Sequence, residues 1–134
     1  GCLVLESKKY FLKDGAYQIN GILISSGDDL ILTIGGGTHP HIGSVAVGSS
    51  HPSLKDPQKD DQTVSVLTVT GHKEDQIARQ AALKLAKVSG TTVTIIVGIH
   101  IDDADQGDIQ RLVKNFHTLI DQIAADIQQE QENR

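Results

Sequence analysis

The chain has 134 residues, a net charge of −5, 38% hydrophobic and only 3% aromatic content. That bounds it to a single domain (1–134) with an aliphatic core, and it excludes nucleic acid, whose phosphates demand a basic surface. The lone cysteine, Cys2, permits neither an internal disulfide nor a zinc motif, so a reducing cytoplasm is expected, and no run approaches the roughly 18 apolar residues of a membrane span.

Residues 1–17, including Lys8-Lys9-Tyr10-Phe11, show no clean period and are expected as an arm or edge strand. Gln18 to Ile24 and Leu30 to Ile34 are apolar around the turn signal Ser26-Gly27-Asp28-Asp29, a hairpin pattern. Gly35-Gly36-Gly37-Thr38-His39-Pro40-His41-Ile42-Gly43 reads as a loop, loose at the glycines and stiffened by Pro40 where the imidazoles sit. Ser44 to Gly48 is a third strand, and Ser49 to Gln62, with Pro52 and Pro57, a long surface loop.

Thr63 to Thr70 is a fourth strand, after which the period changes to that of a helix over Lys73 to Ser89, closed by Gly90. The β-branched run Thr92 to Ile99 suits a central strand covered on both faces. His100 to Gly107 is an acidic loop. Beyond it Ile109, Val113, Phe116, Ile120, Ile123 and Ile127 mark a long helix, with Asp105 as N-cap, Asp108 in its first turn, and a frayed tail over 128–134. Leu112 and Leu119 widen that stripe toward a sheet-packing face, with a dimer contact through the helix left open. The order predicts an α+β fold: a single mixed or mainly antiparallel β-sheet with two C-terminal-half helices packed on it.

The stretches with chemical potential are loops. Successive amides of Gly35 to Thr38 could form an anion nest, against the plainer reading of a flexible turn. Gly71-His72-Lys73-Glu74 opens a helix with two cationic groups where helix electrostatics prefers acids, a conflict that an anionic ligand would resolve; the plain reading leaves both in solvent. In Gly98-Ile99-His100-Ile101-Asp102-Asp103 a histidine stands beside carboxylates, with Asp102 or Asp105 to orient it or to cap the last helix. Lys55, between Pro52 and Pro57, is a further charged candidate whose default is solvation. A metal set of His39, His41, His100 and Asp102 is open, whereas nucleophilic catalysis has no GxSxG support. Convergence of His39, His72 and His100 requires that their strands end on one edge of the sheet.

With GGGTHPHIG, HPSLKDP, GHKED and GIHID in that order, the chain resembles, over roughly Ile19 to Leu119, a family of bacterial accessory proteins. This is the small D-component (prenylated-flavin chaperone-like) family of non-oxidative hydroxyarylic (phenolic) acid decarboxylase systems, similar in fold to proteasome assembly chaperones. The resemblance implies a non-catalytic accessory that binds or delivers prenylated FMN or FMN to a decarboxylase catalytic subunit. It implies cofactor contacts from Gly36, Gly37, Thr38, His39 and His41, with Lys55, His72, Lys73 and His100 beside the phosphate or ring. The low aromatic content suits transient carriage better than tight stacking. Two readings from other classes stand beside it: a small metal-dependent hydrolase or lyase using His39, His41 and His100, and a protein-assembly module docking through the long helix, with a homodimer allowed.

Overall fold

A computed structural model describes residues 6–56, 58–69 and 74–133. Strands β1 (Glu6–Leu12), β2 (Ile19–Ser26), β3 (Asp29–Gly37), β4 (Ser44–Pro52), β5 (Asp60–Thr68) and β6 (Thr92–His100) form one six-stranded sheet in the order β1-β2-β3-β6-β4-β5. Helix α1 (Glu74–Ser89) connects β5 to β6, and α2 (Gln106–Glu132) follows β6. The sheet is mixed: β3 and β6 run parallel and the other pairs antiparallel. A mixed sheet with two helices in the C-terminal half is the architecture expected from the order of elements.

Both helices lie on one face, α1 over β4, β5 and β6, and α2 over β1 and β2. Alternation along the strands sends Ile19, Leu23, Leu32, Ile34, Val93, Ile95 and Val97 into that layer, where all are buried. Helix α1 meets the sheet through Ala78, Ala81, Ala82 and Ala86, whose small side chains allow close approach. At Gly48 an added Cβ would stand 2.7 Å from the Ala82 carbonyl oxygen. The helix ends at Gly90, φ +67°, whose amide donates to the Ala86 carbonyl at 2.7 Å.

Helix α2 opens with a capping box, in which Asp105 accepts from the Asp108 amide at 2.7 Å and the Asp108 side chain accepts from the Asp105 amide at 3.0 Å. Phe116, Leu119, Ile120 and Ile123 are fully enclosed against the sheet. That burial assigns the stripe to the sheet. The helix continues to Glu132 rather than fraying at Gln128, and Gln131 donates to the Ser89 carbonyl at 2.6 Å.

Three expectations are revised. The stretch from Ser49 to Gln62 is not a long loop, because β4 and β5 pair out to Pro52 and Asp60. Pro52 is tolerated since β4 pairs with β6 only as far as Ser49, so no second neighbour needs its missing N–H. The glycine run is not a loop either, because β3 pairs through Gly37. Finally, β6 is central but covered by helices on one face only, with Thr94 and Ile96 half-buried on the other.

The β1 edge is tied to α2 by Asp126, which accepts from Tyr10 Oη at 2.9 Å and Lys8 Nζ at 3.0 Å. Hydrogen bonds from Lys8 and then Tyr10 hold the Asp126 carboxyl below its ordinary range, while burial, with Asp126 behind it, pushes the Tyr10 phenol up to about 12. Asp126→Ala leaves a buried phenol without its acceptor and is expected to cost about 1–2 kcal/mol at neutral pH. A depressed carboxyl stabilises above its unfolded value of about 3.9 and that contribution fades as pH falls through the folded value. Urea melts from pH 7 to pH 3 should therefore show the gap between variant and wild type closing toward acid; a constant gap contradicts this account.

Candidate functional site

Because β3 and β6 are parallel and paired Gly37 to His100, both release the chain at the same edge of the sheet. The crevice beyond the carboxyl ends of adjacent parallel strands is where open sheets bind ligands. The connection from β3 to β4 must cross β6 to reach Ser44, which pairs with Val97. It does so over the helix-free face, with the His39–Pro40 peptide bond trans. Two glycines form its floor: a Cβ on Gly98 would fall inside the His41 carbonyl, and one on Gly35 would meet Pro40 Cβ at 3.0 Å.

This arrangement overturns the anion-nest reading of the loop. Gly35 and Gly36 lie in the β3 ladder, the Gly37 amide donates to the Gln18 carbonyl at 2.9 Å, and the Thr38 and His39 amides donate to the His100 carbonyl at 2.7 and 3.3 Å. Gly37 stands at φ +78°, and a Cβ on that backbone would lie 2.0 Å from the His100 carbonyl oxygen, so the position requires glycine. The Thr38 hydroxyl donates weakly to that same carbonyl at 3.4 Å and accepts from the Asp102 amide at 3.2 Å. These donors build the rim instead of cradling a phosphate.

What the rim presents is imidazole. The His39 and His100 ring centroids lie 6.2 Å apart, and those of His41 and His100 6.0 Å. Asp102 bridges the first pair, 3.0 Å from His39 Nδ1 and 3.2 Å from His100 Nε2. His41 Nδ1 lies 3.2 Å from the His39 carbonyl and its Nε2 3.3 Å from Glu74 Oε1. Both His41 nitrogens thus face oxygen acceptors. The Glu74 side chain is 9% exposed, against 59% for Asp102.

Behind the rim, on the helix side, is a cleft of about 620 Å³ between β6, the 101–105 turn and the first turns of α1 and α2. Its apolar walls are Ile77, Ile99, Ile101, Ile109, Leu112 and Val113, and His100 and Glu74 belong to both rim and cleft. Cofactor sites have this size and character, mostly apolar with a few placed polar groups. Asp103, in the left-handed region at φ +51°, turns the chain from β6 toward α2 along its edge.

The sequence candidates therefore divide. Thr38, His39, His41 and His100 come together with Gly36 and Gly37 beside them, Asp102 orients imidazoles, and Asp105 caps α2. Lys55 does not join them. It follows the far end of β4, eight residue steps at about 3.3 Å from Ser44, which puts it at the opposite edge of the sheet. His72 and Lys73 lie outside the described residues. His51 sits within β4 near that far end, and His117 packs beside Phe116, centroids 5.5 Å apart. The metal reading of His39, His41 and His100 gains no support: among the described residues no three His, Cys, Asp or Glu side chains are grouped to hold an ion. His39 and His100 share Asp102, while His41 turns to Glu74.

Glu74 and the apolar cleft walls are the parts that sequence reasoning missed. Ile109 and Val113 fit the helical stripe, whose width points to the sheet. The stripe, however, outruns the sheet edge, so its first turn roofs the cleft, and Ile109 is 49% exposed. An apolar residue in the first turn of a helix beside the Ile101-Asp102 loop was the available signal.

A family model described as prenylated flavin chaperone LpdD-like domain matches residues 13–128. Protein LpdD of Lactiplantibacillus plantarum is 30% identical over 100 residues, spanning 72% of this chain and 68% of that protein. Among solved structures, a crystal structure of a chaperone complex for yeast 20S proteasome assembly aligns with TM-score 0.60 at 12% identity, covering 96% of this chain and 98% of that one. The last likeness concerns the fold alone. Among the described residues no helix is long and apolar enough to cross a membrane.

Proposed function

Because this chain belongs to the prenylated flavin chaperone LpdD-like family, we propose that it is a non-catalytic carrier that holds a prenylated FMN-type cofactor and delivers it to a decarboxylase catalytic subunit. The observation carrying this reading is the cleft of about 620 Å³, apolar in its walls and imidazole-lined at its mouth. A flavin mononucleotide couples an apolar fused ring to a phosphate, and the two chemistries match the two parts of the site. Ile99, Ile101, Ile109, Leu112 and Val113 would hold the ring, and His39, His41 and His100 the anionic end. His72 and Lys73, which precede Glu74 in the sequence, are proposed as further cationic partners of the phosphate. Gly36, Gly37 and Thr38 serve by shaping the rim.

The cofactor carries the reactive chemistry, and the protein supplies binding, orientation and exclusion of water. Release is built into the same residues. Among the described residues no Phe, Tyr or Trp lines the cleft, so no large aromatic ring adds stacking to the affinity. The phosphate competes with Asp102 for His39 and His100, and Asp102 is there to take them back on departure.

The double variant His39→Ala/His41→Ala removes two charge-assisted hydrogen-bond donors and is expected to weaken flavin capture by about tenfold or more. Pull-down of the decarboxylase subunit should survive the change. Loss of pull-down with intact capture would instead favour the assembly module, and unchanged capture would contradict the site.

A further inference from the structure

We propose that the helix-free face of the sheet binds a second copy of this chain, making the protein a face-to-face homodimer. Antiparallel sheets open to water on one side ordinarily show polar residues there. Here the registers align Ile22, Thr33, Ile96, Val45 and Leu67 in one row across five strands, and Ile24, Ile31, Thr94 and Val47 in the next. Ile22, Val47 and Leu67 are 37%, 41% and 72% exposed. None of the four inner strands places a charge in these rows; charge stands at their margins, with Lys9 on the outermost strand β1 and Asp29 at the start of β3, one row beyond Ile31. An apolar centre with charge at the margin is the anatomy of a protein interface.

Size argues for a whole second sheet. Six strands about 4.8 Å apart and seven residues of about 3.3 Å give a flat area on the order of 550 Å², which side-chain relief raises toward the roughly 800 Å² per partner of a stable interface. The face is also suited to itself: rows of β-branched residues interdigitate when two sheets pack about 10 Å apart, and a twofold axis presents the same patch on both sides. The loop from Thr38 to Gly43 lies on this same face, and Ile42 at its edge is 57% exposed. The dimer surface therefore runs up to the imidazole rim. The inference does not depend on what the cleft binds.

Sedimentation equilibrium of the full chain over a micromolar range is the test. The wild type should sediment at twice the 14.4 kDa chain mass. Ile22→Glu and Val47→Glu, both directed outward, should shift it to the single-chain mass with unchanged far-UV circular dichroism, while Ile109→Glu on the opposite side leaves the dimer intact. A wild type at single-chain mass overturns the proposal whether or not the variants fold. So does dimerisation that both charged variants retain. A monomer whose Ile22→Glu form loses decarboxylase pull-down would assign the face to that partner and equally exclude the homodimer.

Discussion

Replacing Gly98 by alanine is expected to lift the Thr38–Gly43 loop off the sheet, lower the melting temperature by several degrees and abolish flavin capture. Position 98 lies in β6 with its side-chain direction on the helix-free face, directly beneath the His41 carbonyl. A methyl group cannot share that space, and the sheet cannot yield, because β6 is paired on both sides. The loop must move, and with it go the His41 contacts to Glu74 and to the His39 carbonyl. Overpacking of this kind costs about 1–3 kcal/mol. Gly35→Ala is the graded control: its Cβ meets only Pro40 Cβ at 3.0 Å, so a small outward shift relieves it. Calorimetry and flavin capture on the two variants should rank them in that order; equal, negligible effects would show that the floor is not tight.

Ile109→Glu should do the reverse, weakening binding while sparing the fold. The residue is 49% exposed in the first turn of α2, where a carboxylate is favourable to the helix terminus. It also forms part of the cleft wall. Exchanging apolar surface for negative charge beside a phosphorylated ring is expected to reduce affinity about 10–100-fold, the equivalent of roughly 1.4–2.8 kcal/mol. Melting temperature should hold or rise. A variant that binds as tightly as wild type would remove the cleft from the account.

Local patterns announced most of the elements, because period and punctuation are local properties. The β2–β3 turn, the Gly90 stop and the Asp105/Asp108 box all sit where their residue types predict. What the chain order hides is pairing. Nothing in Leu30 to Ile34 or Thr92 to Ile99 reveals that β3 and β6 are parallel neighbours, yet that pairing brings His39, His41 and His100 to one edge. The glycine run misled for a related reason: glycines suited to close ligand approach are equally suited to close loop approach, and only the position of Pro40 and His41 above Gly35 and Gly98 decides between them. Lys55 looked like a partner because it shares a Pro-flanked loop signature, but the strand it follows runs away from the rim. Helix coverage is likewise a tertiary property, so the β-branched run of β6 could not distinguish a second helical layer from the apolar face now left open.

The binding of the cofactor itself is the most direct test. Prenylated FMN, and FMN as its simpler relative, titrated into the unmodified chain and passed through a desalting column should leave flavin absorbance in the protein fraction at a one-to-one ratio. Ile109→Glu should leave it largely in the small-molecule fraction. If the wild-type protein elutes colourless at concentrations that saturate a micromolar site, the crevice beyond β3 and β6 is not a flavin site and the carrier proposal fails.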